Sequence, residues 1–213
     1  MVTPQAIVFD LGKVLLDFDY SIAIHRLLPR CRVDLDSLRR ILTQDHLLIE
    51  YETGLRTTPE FFAELQGLTG YEGTLVDFRR LFGDIFTPIE PMLALHAAVR
   101  ARRLPTYLFS NTNEMAIEFV RAQFPFMQAF DAQILSYEVK AMKPAPPMYE
   151  LAERMSGFRG PDLFYIDDRP ENVAAGWQRG WQGIVHHDPV ETRAALVRLG
   201  VLEASPSGRS PPP

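Results

Sequence analysis

The chain has 213 residues, of which 46% are hydrophobic and 23% charged, a composition typical of a globular protein with a full core. A formal net charge of -5 excludes the basic surface that proteins present to nucleic acids. No apolar run is long enough to span a bilayer, and the N-terminus lacks a signal-peptide pattern. One cysteine, Cys31, cannot form an internal disulfide. We therefore expect a cytoplasmic protein with neither nucleic acid nor membrane as partner.

The first strong signal is the apolar run from Ala6 to Phe9, which predicts a strand buried on both faces of a parallel sheet. This strand ends in a carboxylate, Asp10. Ligands of open α/β sheets bind outside the carboxyl ends of the strands, so Asp10 is a candidate for chemistry. The alternating residues from Leu15 to Tyr20 predict a small hairpin beside this strand.

The next segment, residues 21–86, has the apolar spacing of three and four that indicates helices. One predicted helix begins at Thr58 with a proline behind it, and another runs from Leu35 towards Ile49. No strand signal interrupts the segment. We expect a small all-helical bundle inserted after the first strand.

Beyond this segment, helical patterns alternate with short apolar strands. Two of these strands end in polar residues, one at Ser110 and the other at Asp167. Strands that alternate with helices predict an α/β fold with a parallel sheet and right-handed crossovers. The predicted domains are a core of residues 1–16 and 87–203, a helical cap of residues 17–86, and a disordered Ser/Pro-rich tail of residues 204–213.

Carboxylates at neighbouring strand ends predict a metal site. Asp10, Asp167 and Asp168 are expected to face one crevice, where their charges repel unless a cation lies between them. Oxygen ligands favour Mg²⁺. We expect Asp10 and Asp168 to be ligands, with the main-chain carbonyl of Gly12 as a third.

A phosphoryl group fits the remaining residues of the crevice. Lys143 supplies an ammonium group, and Ser110 with Asn111 supplies a hydroxyl and free backbone N–H groups, so together they predict a cradle for a dianion. A carboxylate in contact with both metal and phosphate can attack phosphorus and form an aspartyl-phosphate. This role falls to Asp10, and the expected substrates are small phosphorylated metabolites.

Four motifs give the chain a resemblance to the haloacid dehalogenase-like hydrolases, nearest to the sugar-phosphate phosphatases related to the amino-terminal domain of soluble epoxide hydrolase. The resemblance implies a Rossmann-like core with a mobile lid, and Mg²⁺ held by Asp10, Gly12 and Asp168 with Asp167 close behind. The motifs are Phe9–Val14, Leu108–Asn113, Lys143-Pro144 and Tyr165–Asn172, and Glu50–Gly54 resembles a cap loop of the same branch.

One position departs from the family pattern. Phosphatases of the family usually carry a second aspartate two residues after the nucleophile, where this chain has Gly12. Such an acid/base group contributes about 10²- to 10⁴-fold in rate. Either the leaving group departs easily, as from a sugar 1-phosphate, or another residue replaces the acid. The candidates are Asp17, Asp19, Asp45, His46 and Glu50.

Gly12 also keeps two alternative functions open. A metal-independent 2-haloacid dehalogenase needs no second acid, because its aspartate displaces halide from carbon. A catalytically weak or inactive protein that binds phosphate esters as a sensor is the other. The pair Asp167 and Asp168 favours a metal-dependent phosphatase over both.

Overall fold

A computed structural model describes residues 2–43 and 46–204 of the chain. Residues 205–213 of the predicted tail and the candidate acid Asp45 lie outside this range. Among the described residues, none of the helices combines the length and apolar character needed to cross a membrane. The strands are β1 Ala6–Phe9, β2 Leu16–Phe18, β3 Phe86–Pro88, β4 Thr106–Ser110, β5 Ala132–Leu135, β6 Leu163–Asp167 and β7 Gln182–Val185.

Helices cover both faces of the main sheet and fill the segment between β2 and β3. The α-helices are α1 Tyr20–Leu27, α2 Leu35–Thr43, α3 His46–Glu52, α4 Thr58–Thr69, α5 Leu75–Gly83, α6 Glu90–Ala101, α7 Glu114–Gln123, α8 Ser136–Val139, α9 Pro146–Ser156, α10 Pro170–Gln178 and α11 Pro189–Arg198.

The main sheet has five parallel strands in the order β5-β4-β1-β6-β7. The central strand β1 is buried along its whole length because helices pack on both faces. Ile7 and Phe9 belong to the hydrophobic cluster on one face, and Ala6 and Val8 belong to the cluster on the other. The predicted Rossmann-like α/β core is confirmed.

The predicted hairpin at residues 15–20 is wrong. β2 pairs instead with β3, antiparallel, with Leu16 opposite Pro88 and Phe18 opposite Phe86. A two-residue turn would have left β2 without its apolar partner Phe86, whose ring centroid lies 6.2 Å from that of Phe18. The pairing brings the two ends of the helical segment together beside the sheet.

The helical segment α1–α5 encloses a hydrophobic cluster of its own. α4 begins with a capping box, in which the Thr57 side chain accepts from the Glu60 amide and Glu60 accepts from Thr57. The single helix expected from Leu35 to Ile49 is instead two helices, α2 and α3. The all-helical insertion is confirmed, while its exact limits at residues 17 and 86 stay a prediction.

The helical segment contacts the core at the N-terminal end of α7. The Met115 amide donates to the Tyr51 hydroxyl at 3.1 Å, and the Thr58 hydroxyl bonds to Glu114. These bonds, together with the β2–β3 pairing, position the segment over the carboxyl ends of the strands.

Candidate active site

The adjacent strands β1 and β6 bring two carboxylates to one lysine. Lys143 Nζ lies 2.9 Å from Asp10 Oδ1 and 2.7 Å from Asp167 Oδ2. The lysine side chain is 1% exposed, so its charge is neutralised by these carboxylates and not by water. The carboxyl ends of the strands therefore form a buried site of paired charges.

Asp167 uses both carboxylate oxygens within the protein. It accepts from the Arg169 amide at 2.8 Å, the Asn172 side-chain amide at 3.1 Å and the Tyr165 hydroxyl, in addition to Lys143. Burial by itself raises the pKa of Asp167, but Lys143 and these hydrogen bonds lower it below the ordinary value. Asp167 thus has the contacts of a group that holds Lys143 in place.

Asp10 has the opposite electrostatic environment. Burial raises the pKa of Asp10 to about 8; Lys143 opposes the rise, and Asp167 and Asp168 add to it. The pKa of Asp168 is also raised, by burial and by Asp167. Even with Lys143 present, the site therefore disfavours the full set of negative charges unless a metal cation is bound.

The three carboxylates offer oxygen atoms that all lie within 4.8 Å of one another. This donor set consists only of carboxylate oxygens, which suits Mg²⁺. A divalent cation would also oppose the mutual repulsion that raises the pKa of Asp10 and Asp168. The residues present therefore fit the ion that the sequence predicts.

Ser110 and Asn111, the two residues predicted to cradle the phosphoryl group, differ from each other in their contacts. Both polar groups of the Asn111 side chain bind the main chain of Lys143, donating to its carbonyl at 3.0 Å and accepting from its amide at 2.7 Å. The buried Ser110 lines a smaller cavity adjoining the main one. Asn111 thus fixes the loop that carries Lys143 and also lines the main cavity.

A cavity of about 240 Å³ joins these residues to the helical segment. One wall comes from the core, and the other comes from β2, α1 and α3. Its lining residues are Asp10, Gly12, Lys13, Phe18, Tyr20, Leu48, Glu52, Asn111, Met142, Lys143, Asp168, Arg169 and Asn172.

An aromatic ring fills the space where a side chain at position 12 would begin. A Cβ atom added to Gly12 would lie 2.8 Å from Phe18 Cε1. The Phe18 ring packs edge-on against Tyr20, with centroids 5.7 Å apart. A side chain at position 12 would therefore require the Phe18 ring to move.

The acids that the sequence suggested as replacements do not line this cavity among the described residues. Asp17 pairs with Lys13 at the surface, and Asp19 accepts from the Ser21 amide as the cap of α1. Glu50 pairs with Arg56 at 2.5 Å. His46 is exposed. These contacts are those of structural and surface groups.

Glu52 is not among the site residues predicted from the sequence, although it lies in the segment Glu50–Gly54 that resembles a cap loop. Glu52 lines the main cavity, and its carboxylate lies 3.4 Å from the Tyr20 hydroxyl. Burial raises the pKa of Glu52 to about 7, against a smaller lowering by Tyr20. A signal was present in the sequence, since Glu52 lies in the one cap segment with a family-like pattern.

Comparisons with known proteins agree with this fold. The model of the haloacid dehalogenase-like hydrolase family matches residues 4–178, and the chain belongs to that family. The predicted family and the expectation of a hydrolase are confirmed. A D-ribitol-5-phosphate phosphatase from Bacteroides thetaiotaomicron is 25% identical over 196 residues, which cover 89% of this chain and 95% of that protein.

Solved structures share the fold. A HAD family enzyme from Bacteroides thetaiotaomicron, in complex with magnesium and inorganic phosphate, has a TM-score of 0.75 at 22% identity and covers 86% of this chain and 94% of its own. L-2-haloacid dehalogenase from Xanthobacter autotrophicus has a TM-score of 0.60 at 20% identity, with 92% and 83% covered. The fold alone is thus compatible with both reactions that the sequence left open.

Proposed function

We propose that the protein is a Mg²⁺-dependent phosphomonoesterase that acts on small phosphorylated metabolites, with sugar or polyol phosphates as the favoured class. The observation that carries the proposal is the cluster of Asp10, Asp168 and Lys143 at one wall of the cavity between the core and the helical segment. The likeness to a D-ribitol-5-phosphate phosphatase supports the substrate class. The single cysteine supports action in a reducing cytoplasm.

In this proposal, Asp10 is the nucleophile. Its carboxylate lies at the end of β1, where its main chain is fixed by the bond from the Asp10 amide to the Ile166 carbonyl at 2.9 Å. The oxygen that faces the cavity attacks phosphorus, forms an aspartyl-phosphate and releases the alcohol. Water then cleaves the aspartyl-phosphate and restores the carboxylate.

Lys143 and the metal share the work of neutralising charge. Lys143 is held by Asp167, so its ammonium group stays in the cavity wall while negative charge develops on the phosphoryl oxygens. Asp10, Asp168 and the carbonyl of Gly12 would hold Mg²⁺, and the ion would supply a second positive charge to the phosphoryl group. Ser110 and Asn111 complete the predicted phosphate cradle.

The helical segment of residues 17–86 is proposed to act as a cap that selects the substrate. Tyr20, Leu48 and Glu52 give it a wall of the cavity opposite Asp10. Because the phosphoryl group is bound by the core, the cap wall faces the alcohol part of the ester. Cap substitutions at this wall are expected to change which ester is preferred.

The proposal is tested with 4-nitrophenyl phosphate, whose leaving group needs little protonation. The parent is expected to hydrolyse this ester with Mg²⁺ and to lose activity when a chelator removes the ion. Asp10→Asn, which keeps the size of the side chain but removes the nucleophile, should lose about 10⁴-fold or more in kcat. Unchanged turnover in Asp10→Asn would refute the proposal.

An assay of halide release, also run with chelator, tests the dehalogenase alternative. Gly12 favours that alternative, because halide displacement requires no leaving-group acid. We expect no halide release from 2-chloropropionate. The raised pKa of Asp10 and of Asp168 disfavours their ionised forms when no metal cation is bound, and halide displacement requires an ionised Asp10. Halide release in the presence of chelator would establish the dehalogenase instead.

A further inference from the structure

The proposed phosphatase reaction leaves one proton without a carrier. When the bond from phosphorus to the alcohol oxygen breaks, that oxygen needs a proton unless the alcohol is unusually acidic. Position 12 cannot supply it, because Gly12 has no side chain and Phe18 fills the adjoining space. A catalysed transfer of this proton therefore needs another acidic group at the same cavity.

Glu52 is the one carboxyl group that the helical segment contributes to this cavity among the described residues. The other carboxyl groups lining it are Asp10 and Asp168, which the proposed function uses for attack and for metal binding. Glu52 has no ion-pair partner within the described part of the chain, and its nearest polar contact is the Tyr20 hydroxyl. Its carboxyl group is therefore available to carry a proton.

The main chain around Glu52 is fixed against the core. The buried Ser136 hydroxyl lies 2.6 Å from the Glu52 carbonyl, and the Lys140 ammonium group bonds to the Gly54 carbonyl. Gly54 has a φ of +71, and a Cβ atom there would lie 2.0 Å from the Tyr137 carbonyl oxygen. The close approach of this loop to α8 sets the position of Glu52 at the cavity.

On the basis of the proposed function, we propose that Glu52 is the general acid and base of the reaction, in place of the aspartate that Gly12 replaces. In the first half, a bond forms between Asp10 and phosphorus, the ester bond breaks, and the Glu52 proton passes to the alcohol oxygen. In the second half, water attacks phosphorus, gives its proton to the Glu52 carboxylate, and frees Asp10 and inorganic phosphate.

The leaving-group dependence of Glu52→Gln tests this role. We compare kcat/KM, which reports the steps up to the aspartyl-phosphate, on 4-nitrophenyl phosphate and on phenyl phosphate, whose phenol resembles tyrosine with a pKa of about 10. Glu52→Gln should lose about 10²- to 10⁴-fold on phenyl phosphate. On the nitrophenyl ester, kcat/KM should stay within a few-fold of the parent.

The second half of the reaction gives an independent measurement. Without a base for water, Glu52→Gln should accumulate aspartyl-phosphate and release a burst of one nitrophenolate per enzyme before slow turnover. Glu50→Gln is the matched control, because Glu50 lies on the same helix but pairs with Arg56 outside the cavity. It should match the parent on both esters.

Each outcome has a defined meaning. A parent that hydrolyses neither ester refutes the proposed function itself. If the parent is active and Glu52→Gln lowers kcat/KM equally on both esters, or on neither, the role of Glu52 is refuted and the proposed phosphatase activity stands. If Glu52→Gln does not fold, as judged by circular dichroism, Glu52→Asp is used, because it keeps the acid but shortens its reach. The role of Glu52 is then judged from the loss of kcat/KM on phenyl phosphate relative to the loss on 4-nitrophenyl phosphate.

Discussion

The two walls of the cavity are built on different principles. The core wall places Asp10 and Asp167 each within hydrogen-bond distance of Lys143, so each of these buried charges has a partner. Among the described residues, the cap wall consists of aromatic and apolar side chains with a single carboxyl group, that of Glu52. This difference fits the proposed function, in which the core would hold the phosphoryl group and the nucleophile and the cap would face the leaving alcohol.

Removal of Lys143 is expected to give the largest effect on the core wall. Lys143→Met leaves Asp10 and Asp167 buried without a cation, and breaking a buried pair in this way costs about 3–5 kcal/mol. The free energy of unfolding, measured in urea with chelator present, should fall by that amount. Activity on 4-nitrophenyl phosphate should be lost with it.

A surface ion pair of the cap provides the control. Arg26 and Asp84 bond at 2.9 Å, with side chains 39% and 55% exposed. Exposed pairs contribute about 0–1 kcal/mol, so Arg26→Met should change the unfolding free energy by no more than that. Equal losses in Lys143→Met and Arg26→Met would show that the core wall is not held by charge pairing.

The core wall could be predicted from the sequence because its carboxylates follow directly after recognisable strands of a parallel sheet. The run from Ala6 to Phe9 identifies a strand buried on both faces, and the polar residue after it must lie at the carboxyl edge. The same reasoning located Asp167 at the end of β6. Because the carboxyl ends of parallel strands lie at one edge of the sheet, these side chains are expected at one crevice before the order of the strands is known.

The cap wall could not be predicted in the same way. The helical spacing identifies which face of a helix is apolar, but it does not say which part of the core that helix contacts. α8, which positions Glu52 through Ser136, is a single turn and too short to show a helical period. The pairing of β2 with β3 likewise depends on residues far apart in the chain.

A smaller effect is expected where the cap loop meets α8. Gly54→Ala places a Cβ atom against the Tyr137 carbonyl and requires a left-handed backbone that costs about 1–2 kcal/mol for alanine. The loop should move and take Glu52 with it. We expect kcat/KM to fall more on phenyl phosphate than on 4-nitrophenyl phosphate.

Gly67→Ala is the matched control for that variant. Gly67 is exposed on α4, and a Cβ atom there has no neighbour within 4 Å. Alanine in a helix interior stabilises by roughly 0.5–1 kcal/mol over glycine, so the variant should be slightly more stable, with both activities unchanged. If Gly54→Ala lowered kcat/KM equally on both esters, the cap loop would act on the core wall as well.

The central claim is that the Asp10 carboxylate forms a covalent bond to phosphorus. It is tested most directly by mixing the enzyme with Mg²⁺ and 4-nitrophenyl phosphate, quenching in acid within the first turnover, and mapping the phosphoryl group by mass spectrometry of peptides. We predict one phosphoryl group on the peptide that contains Asp10, and none in Asp10→Asn. Product formation with no phosphorylated peptide, or with the phosphoryl group on another residue, would contradict the claim.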